Sequence, residues 1–538
     1  MRTAPFLCIV FITLAARADV SATLDDYFTR AAAHGFSGSV FVARGNEILL
    51  RKGYGLADRR AHVAATPETA YNIASLDKQF IAAAILKLEE SGKLRTDDKL
   101  TRFFDFVPDD KKEITLHQLL SHTSGLRNDY WDEHADLSTR EAFVKFILSE
   151  PLDSAPGTAW SYSNSAFIML ERIIEIASGE PYEQYLHDAL FAPAGMAYSG
   201  FALPKWKPHQ VAHYDFWTVD AKSLKGDVAY DDPLQRPAPN RVLLSTVDDL
   251  WKWHQKLPSI LSAASLTKLY TPVKDDYAYG WNVVRTTRGT RLIHHGGSDS
   301  NTGMLVTYRN YADEGVFFVV ATNSMQPGLV SDYIAADMEA MLFGGPVTLP
   351  PPAIANHDAL AGKYGPYEVV AVDGGPLVLR TQDRTAMMTL RLPSAPAAQD
   401  EVANDLVRAA FNGDFATVKQ ALHASDGFME TIRDGIEHWK KAYGNVTKIR
   451  TVGQRTFVFE AEPEIHSYVR VDFERGSEVL RVLHTGSGGL RLDRLNMPPG
   501  IEMVLAPDGP GRWTTWDFKL GTGAIVSRDG DRLVLQGQ

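Results

Sequence analysis

The sequence predicts an α+β fold: a mixed, mostly antiparallel sheet flanked by helices and carrying a helical subdomain, followed by smaller β and α+β C-terminal domains. Three observations carry this expectation. Strand-like runs at 39–42 and 48–51, and again at 280–284, 304–308 and 316–321, enclose a long middle of helical periodicity, so the sheet closes only when the chain returns. The run Gly344-Gly345-Pro346, followed by Leu349-Pro350-Pro351-Pro352, continues neither helix nor sheet and marks a domain break. Beyond it, Val469, Val471 and Phe473 alternate with Arg470, Asp472 and Glu474, the period of a half-buried strand.

In chain order, residues 1–18 read as a secretory signal peptide. Met1-Arg2 is a short basic start, 5–15 is an apolar run, and Ala16-Arg17-Ala18 has the small-x-small form of a cleavage site. The run is too short to span a bilayer and no other apolar segment of about 20 residues follows, so a secreted or periplasmic protein without a transmembrane anchor is expected. The one cysteine, Cys8, leaves with the signal, which excludes disulfides, a thiol nucleophile and a cysteine metal site from the remainder. Residues 19–345 form the first domain, with a helix at 24–33, the strands named above and a last helix at 330–342. Residues 346–400 are expected to be a linker and a small β meander, its short strands falling within 360–392 around a turn at Asp373-Gly374-Gly375. Residues 401–538 read as an α+β domain, with helices at 401–411, 415–422 and 427–443 and strands at 456–462, 467–474 and 478–484. Further short strands from 489 onward carry Trp513 and Trp516, which look exposed. The 55 Lys+Arg against 66 Asp+Glu give a net charge of −11 with no basic cluster, which excludes nucleic acid as the main partner.

Three short patterns carry chemistry: Ser75-Leu76-Asp77-Lys78, Tyr162-Ser163-Asn164 and His295-Gly296-Gly297. Ser and Lys at i and i+3 on a helix share one face, and a desolvated, neutral lysine is able to take the serine proton, with Tyr162 relaying it to the leaving group. Each pattern alone is weak. Ser-x-x-Lys arises by chance about once or twice in a chain of this length, and second copies are present: Ser265 with Lys268, Tyr308-Arg309-Asn310 and His484-Thr485-Gly486. The plain alternatives are a helix N-cap for Ser75 with a solvated Lys78, a core tyrosine for Tyr162 and a structural histidine for His295. His294 points to the opposite sheet face, so at most one of the two histidines reaches a site. No H-E-x-x-H spacing and no G-x-S-x-G elbow occurs, which disfavours metal catalysis and an α/β-hydrolase; neither metal nor cofactor is expected.

Context chooses between the copies. The segment 71–80 resembles the nucleophile helix of the serine β-lactamase and penicillin-binding superfamily, in its class C β-lactamase, esterase and D-peptidase branch. Leu119-Leu120-Ser121-His122-Thr123-Ser124-Gly125-Leu126 is similar to that branch's leucine-rich turn, 156–164 to its tyrosine loop, 245–250 to a later helix start, and 295–299 to the strand that other members mark with Lys-Thr-Gly. The resemblance covers about 36–342 and stops short of Pro350. It implies a β-lactamase-like fold with Ser75 as the acylated nucleophile, Lys78 and Tyr162 sharing the proton shuttling, and Asn164 and His295 facing the substrate. It further implies an oxyanion hole from the backbone N–H groups of Ser75 and Ser298, and a Gly296-Gly297 strand bare enough for substrate to lie against.

The chain departs from the family pattern at three places. Asp77 stands where threonine is common, and a carboxylate beside Lys78 favours the charged amine, unless its i+2 position turns it to solvent. Asn240-Arg241-Val242-Leu243 replaces a Gly-Gly pair, and position 295 is His in place of Lys; both point away from a dedicated β-lactamase. The expected function is a secreted serine hydrolase acting through a Ser75 acyl-enzyme on ester, amide or D-amino-acid peptide substrates, with C-terminal contact to the cell wall. The rival is a catalytically weak, penicillin-recognising binding or sensor protein of the cell envelope.

Overall fold

The computed structural model describes residues 6–537 except 60, 129–138, 202–204, 214–241, 300–303, 325–330, 355–359, 372–375, 384–385, 387–389, 391–399, 425, 460–461, 485–488, 495–500, 519–520 and 522. Met1-Arg2, Asn240-Arg241, the Asp373-Gly374-Gly375 turn and Thr485-Gly486 therefore lie outside the described residues. The chain forms two compact units, one holding Ser37–Phe216 and Lys222–Ser324, the other Met1–Phe36 and Met325–Gln538.

The first unit is built on a six-stranded sheet of β1 (Gly38–Arg44), β2 (Glu47–Tyr54), β3 (Asn282–Arg285), β4 (Arg291–Asp299), β5 (Met304–Tyr311) and β6 (Val316–Thr322). Its order is β2-β1-β6-β5-β4-β3, antiparallel throughout. The two ends of the segment meet where Gly38 pairs with Thr322, the closure that strands at both ends of a helical middle require. β6 is buried at every position, as its unbroken apolar run dictates. The buried faces of this sheet pack with α2 (Lys78–Glu90), α3 (Asn164–Ser178) and α4 (Val247–Ile260) in one large core. From Phe80 to Leu86 every residue of α2 is buried, so α2 behaves as a core helix without a solvent face until its last turn. Trp253 on α4 donates its indole N–H to Gln79 Oε1 at 2.8 Å, and Thr246 caps α4 by accepting from Asp249 N–H.

The second unit contains α1 (Phe6–Ala33) and α5 (Ser331–Phe343). Leu24, Tyr27, Phe28 and Ala31 form the buried stripe of α1 at i, i+3, i+4 and i+7. Tyr27 donates to Asp337 Oδ2 at 2.8 Å, while Arg455 donates to Asp337 Oδ1 and to Phe518 O, each at 2.6 Å. One buried carboxylate thus joins four distant segments.

The remaining strands are β7 (Gly362–Tyr364), β8 (Tyr367–Ala371), β9 (Leu377–Thr381), β10 (Val446–Phe459), β11 (Glu462–Phe473), β12 (Gly476–His484), β13 (Leu490–Arg494), β14 (Ile501–Pro507), β15 (Arg512–Thr514), β16 (Ala524–Asp529) and β17 (Arg532–Gly537). Strands β10 to β13 form a four-stranded antiparallel sheet packed on α6 (Glu401–Phe411), α7 (Phe415–Leu422) and α8 (Asp426–Tyr443), and Val469, Val471 and Phe473 are its buried face. The meander expected in 360–392 does not stand alone: β9 pairs with β14, so one seven-stranded sheet runs β7-β8-β9-β14-β15-β16-β17. That pairing corrects the reading of Trp513 and Trp516, both of which are buried. Trp513 packs with Leu379, Met503, Leu505 and Val526, and Leu379 lies more than a hundred residues earlier in the chain.

Candidate active site

The turn that carries Ser75 is held from both sides. Tyr71-Asn72 pairs with Leu244-Ser245, and Ile73 N–H donates to Leu243 O at 3.0 Å. Ala74 has φ of 46°, a left-handed conformation that costs an L-residue roughly 1–2 kcal/mol. Asn72 offsets it by accepting from Ala74 N–H at 2.9 Å through Oδ1, and its amide donates to Asp299 Oδ2 at 2.8 Å, tying the turn to the end of β4. Ala74–Asp77 is a 3₁₀ turn running into α2. With three residues per turn, positions i and i+3 eclipse, and Lys78 Nζ lies 3.2 Å from Ser75 Oγ.

Lys78 is 4% exposed. Its amine donates to Asn164 Oδ1 at 2.8 Å and sits 5.1 Å from the ring centroid of Tyr162 and 5.4 Å from that of Phe167. Asn164 reaches it because Ser163 caps α3, accepting from Ala166 N–H at 3.1 Å and donating to Arg127 O at 2.7 Å, which leaves Asn164 as the first residue of the helix. The amide expected to face substrate therefore turns its oxygen to the lysine.

The Asp77 side chain is 26% exposed, yet one of its two carboxylate oxygens is turned inward. Its Oδ1 is buried 4.0 Å from Lys78 Nζ and accepts no hydrogen bond from a described residue. Burial raises its carboxyl above the usual range, against the opposing pull of Lys78. The solvent-facing orientation drawn from helical spacing holds in part: the side chain stays partly exposed, while the 3₁₀ turn directs one carboxylate oxygen inward beside Lys78.

On β4, Gly297 is bare for the protein's own sake: a Cβ there would collide with Ile73 O and Val306 Cγ1. The strand lies directly against the nucleophile turn at this point, so the turn itself requires a residue without a side chain here. At neighbouring Gly296 the nearest atom to such a Cβ is Val306 O at 3.6 Å. β3 pairs with β4 only as far as His294, so on that side the edge through Gly296 and Ser298 has no strand neighbour among the described residues.

His295 carries no charge outward. Burial, and then the Lys78 cation, push its imidazole down to about 3. Both ring nitrogens are engaged, Nδ1 with Gly296 O at 2.6 Å and Nε2 with Tyr277 Oη at 3.1 Å. Tyr277 in turn meets His122 Nε2 at 3.2 Å, and His122 Nδ1 accepts from Ser163 N–H at 3.0 Å. The sequence reading missed Tyr277, which no motif marks, and assigned His122 no role beyond its turn. Gly280, at φ of 72°, packs so closely on α2 that a Cβ would lie 2.6 Å from Lys78 O, which seats the Tyr277 loop beside the lysine. Among the described residues no group of three or more His, Cys, Asp or Glu is arranged to hold a metal ion, and no helix is long and apolar enough to cross a membrane.

Comparison with known proteins places this geometry. A family model described as Beta-lactamase matches residues 24–340. PbpX of Bacillus subtilis (strain 168), described provisionally as a penicillin-binding protein, is 31% identical over 299 residues, 54% of this chain and 71% of that protein. The octameric penicillin-binding protein homologue from Pyrococcus abyssi is similar in fold, with a TM-score of 0.54 at 19% identity over 97% of this chain and 98% of that one.

Proposed function

The chain belongs to the beta-lactamase family of serine hydrolases, and from that premise we propose a secreted or periplasmic enzyme that hydrolyses esters, amides or D-amino-acid peptides through an acyl-enzyme on Ser75. The observation that carries the reading is the amine of Lys78, buried and held between Ser75 Oγ at 3.2 Å and Asn164 Oδ1 at 2.8 Å. In the productive state neutral Lys78 takes the Ser75 proton while Oγ bonds to the substrate carbonyl carbon. The resulting oxyanion is received by the backbone N–H groups of Ser75 and of Ser298 on the open edge of β4. The proton passes through Tyr162 to the leaving alcohol or amine as its bond to carbon breaks. Water then repeats the attack and returns Ser75. Because His295 is neutral and internally satisfied, it supplies no cation to a substrate carboxylate, which favours uncharged esters and amides among these substrates.

Export rests on the apolar start of residues 1–18, with 19–345 as the hydrolase domain and the segments 346–400 and 401–538 as the parts that contact the cell wall. A second reading, a penicillin-recognising sensor that acylates without turnover, is favoured by Asp77, whose carboxylate stabilises the charged amine that cannot act as a base.

Incubation with a fluorophosphonate, a penicillin and a panel of short-chain esters and amides tests the proposal. Labelling together with steady ester turnover is the expected result. A stable stoichiometric adduct without turnover would establish the sensor instead, and no adduct with any acyl compound would remove both readings.

A further inference from the structure

His122, Tyr277 and His295 are separated by 155 and 18 positions, yet they form one continuous buried chain of hydrogen bonds against the ring of Tyr162. Its two ends fix its direction. At one end Ser163 N–H is a donor, so His122 Nδ1 is bare and its proton sits on Nε2, which donates to Tyr277 Oη. At the other end Gly296 O is an acceptor, so the His295 proton sits on Nδ1 and its bare Nε2 accepts the hydroxyl proton of Tyr277. Every donor meets an acceptor in this arrangement. A proton added to His295 Nε2 would set two N–H groups against one tyrosine oxygen and leave the hydroxyl proton without this acceptor.

The chain braces the reacting groups. The His122 ring lies 4.4 Å from that of Tyr162 and 4.6 Å from that of Tyr277, and the Tyr162 and His295 rings are 6.4 Å apart. The charged or titratable groups around His295 are Lys78 of α2, Tyr162, Tyr277, His122 and its strand neighbour His294. We infer that Tyr277 and His122 are positioning residues: they lock His295 as the Nδ1–H tautomer with Nε2 spent inside the protein, and hold the Tyr162 ring in line with Lys78. The inference rests on the reading of Ser75, Lys78 and Tyr162 as the hydrolytic site. His295 is then an uncharged wall of that site, neither a proton acceptor nor an anion clamp.

Two readouts separate this inference from the hydrolase reading. The full chain labelled with ¹⁵N-histidine is followed by spectra that correlate ring protons with both ring nitrogens, with His295→Asn and His122→Gln assigning the two residues. Opposite tautomers at His295 and His122, unchanged between about pH 5 and 8, are expected. A cationic or Nε2-protonated His295 at pH 7 would overturn the lock even if no substrate is ever turned over. In activity assays Tyr277→Phe should lower kcat about 10- to 100-fold with KM changed less than about twofold. An unchanged kcat, or a loss carried by KM alone, would overturn the positioning role. Should Tyr277→Phe fail to fold, His122→Gln, which keeps a donor toward Tyr277, is expected to retain more activity than His122→Ala; equal losses would count against the chain.

Discussion

The chain contains Ser-x-x-Lys twice in one unit, and the two copies differ in everything but spacing. At Ser75 the lysine is sunk in the core, its amine shared between a hydroxyl and an amide oxygen and stacked over two rings. At Ser265, on the helix Ala263–Tyr270, the serine donates to Glu90 at 2.7 Å and Lys268 donates to Glu89 at 2.8 Å, with the lysine side chain 47% exposed. Hydrogen bonds from Ser265 and Ser262, working against burial, hold the Glu90 carboxyl down at about 2, so it stays ionised and keeps the Ser265 proton engaged. Both carboxylates come from the last turn of α2, whose first residue is Lys78. One helix therefore builds a candidate base at its start and neutralises the second copy at its end. A lysine facing carboxylates and water forms an exposed ion pair of little consequence; one buried beside the serine hydroxyl is placed within reach of its proton.

The sharpest way to break this contrast is to delete each serine. Ser75→Ala is expected to reduce ester turnover by about 10⁴-fold or more and abolish fluorophosphonate labelling, whereas Ser265→Ala leaves both unchanged. An adduct mapped by mass spectrometry to the peptide containing Ser265 would erase the distinction.

A smaller effect is expected at Asp77, the carboxylate that makes the first copy imperfect. Its folded-state value is raised above the ordinary one, so between the two values the native state binds more protons than the unfolded state and stability falls as pH rises through that window. Asp77→Asn removes this cost and should raise Tm at neutral pH relative to the parent, while the two converge in acid. The same change withdraws a negative charge 4.0 Å from Lys78 Nζ, so the acidic limb of kcat/KM should move to lower pH. A pH profile that superimposes on the parent would mean that Asp77 does not influence the base.

The smallest effect belongs to the exposed copy. Lys268→Ala, removing the pair with Glu89, should cost less than about 1 kcal/mol in denaturant unfolding and leave turnover untouched. A larger loss would show that the second copy supports α2 more than its exposure suggests.

What could be read from the sequence is what depends on residues within a turn or two of each other. The spacing of Ser75 and Lys78, the alternation of Val469, Val471 and Phe473, and the end of α5 before Gly344-Gly345-Pro346 are set by local stereochemistry and periodicity. The order of the motifs within 36–342 was sufficient to identify the family. The tertiary structure alone decided which Ser-x-x-Lys copy has a desolvated lysine, where Asp77 points, why Gly297 must lack a side chain, and that β9 completes the sheet of β14 and so buries Trp513. It alone joined Asn72 to Asp299 and His122 through Tyr277 to His295. The physical reason is common to all of these: desolvation and hydrogen bonding act through space, and the partners that supply them lie scores to hundreds of positions away along the chain. Identical four-residue patterns therefore acquire opposite chemistry from the groups that folding sets around them.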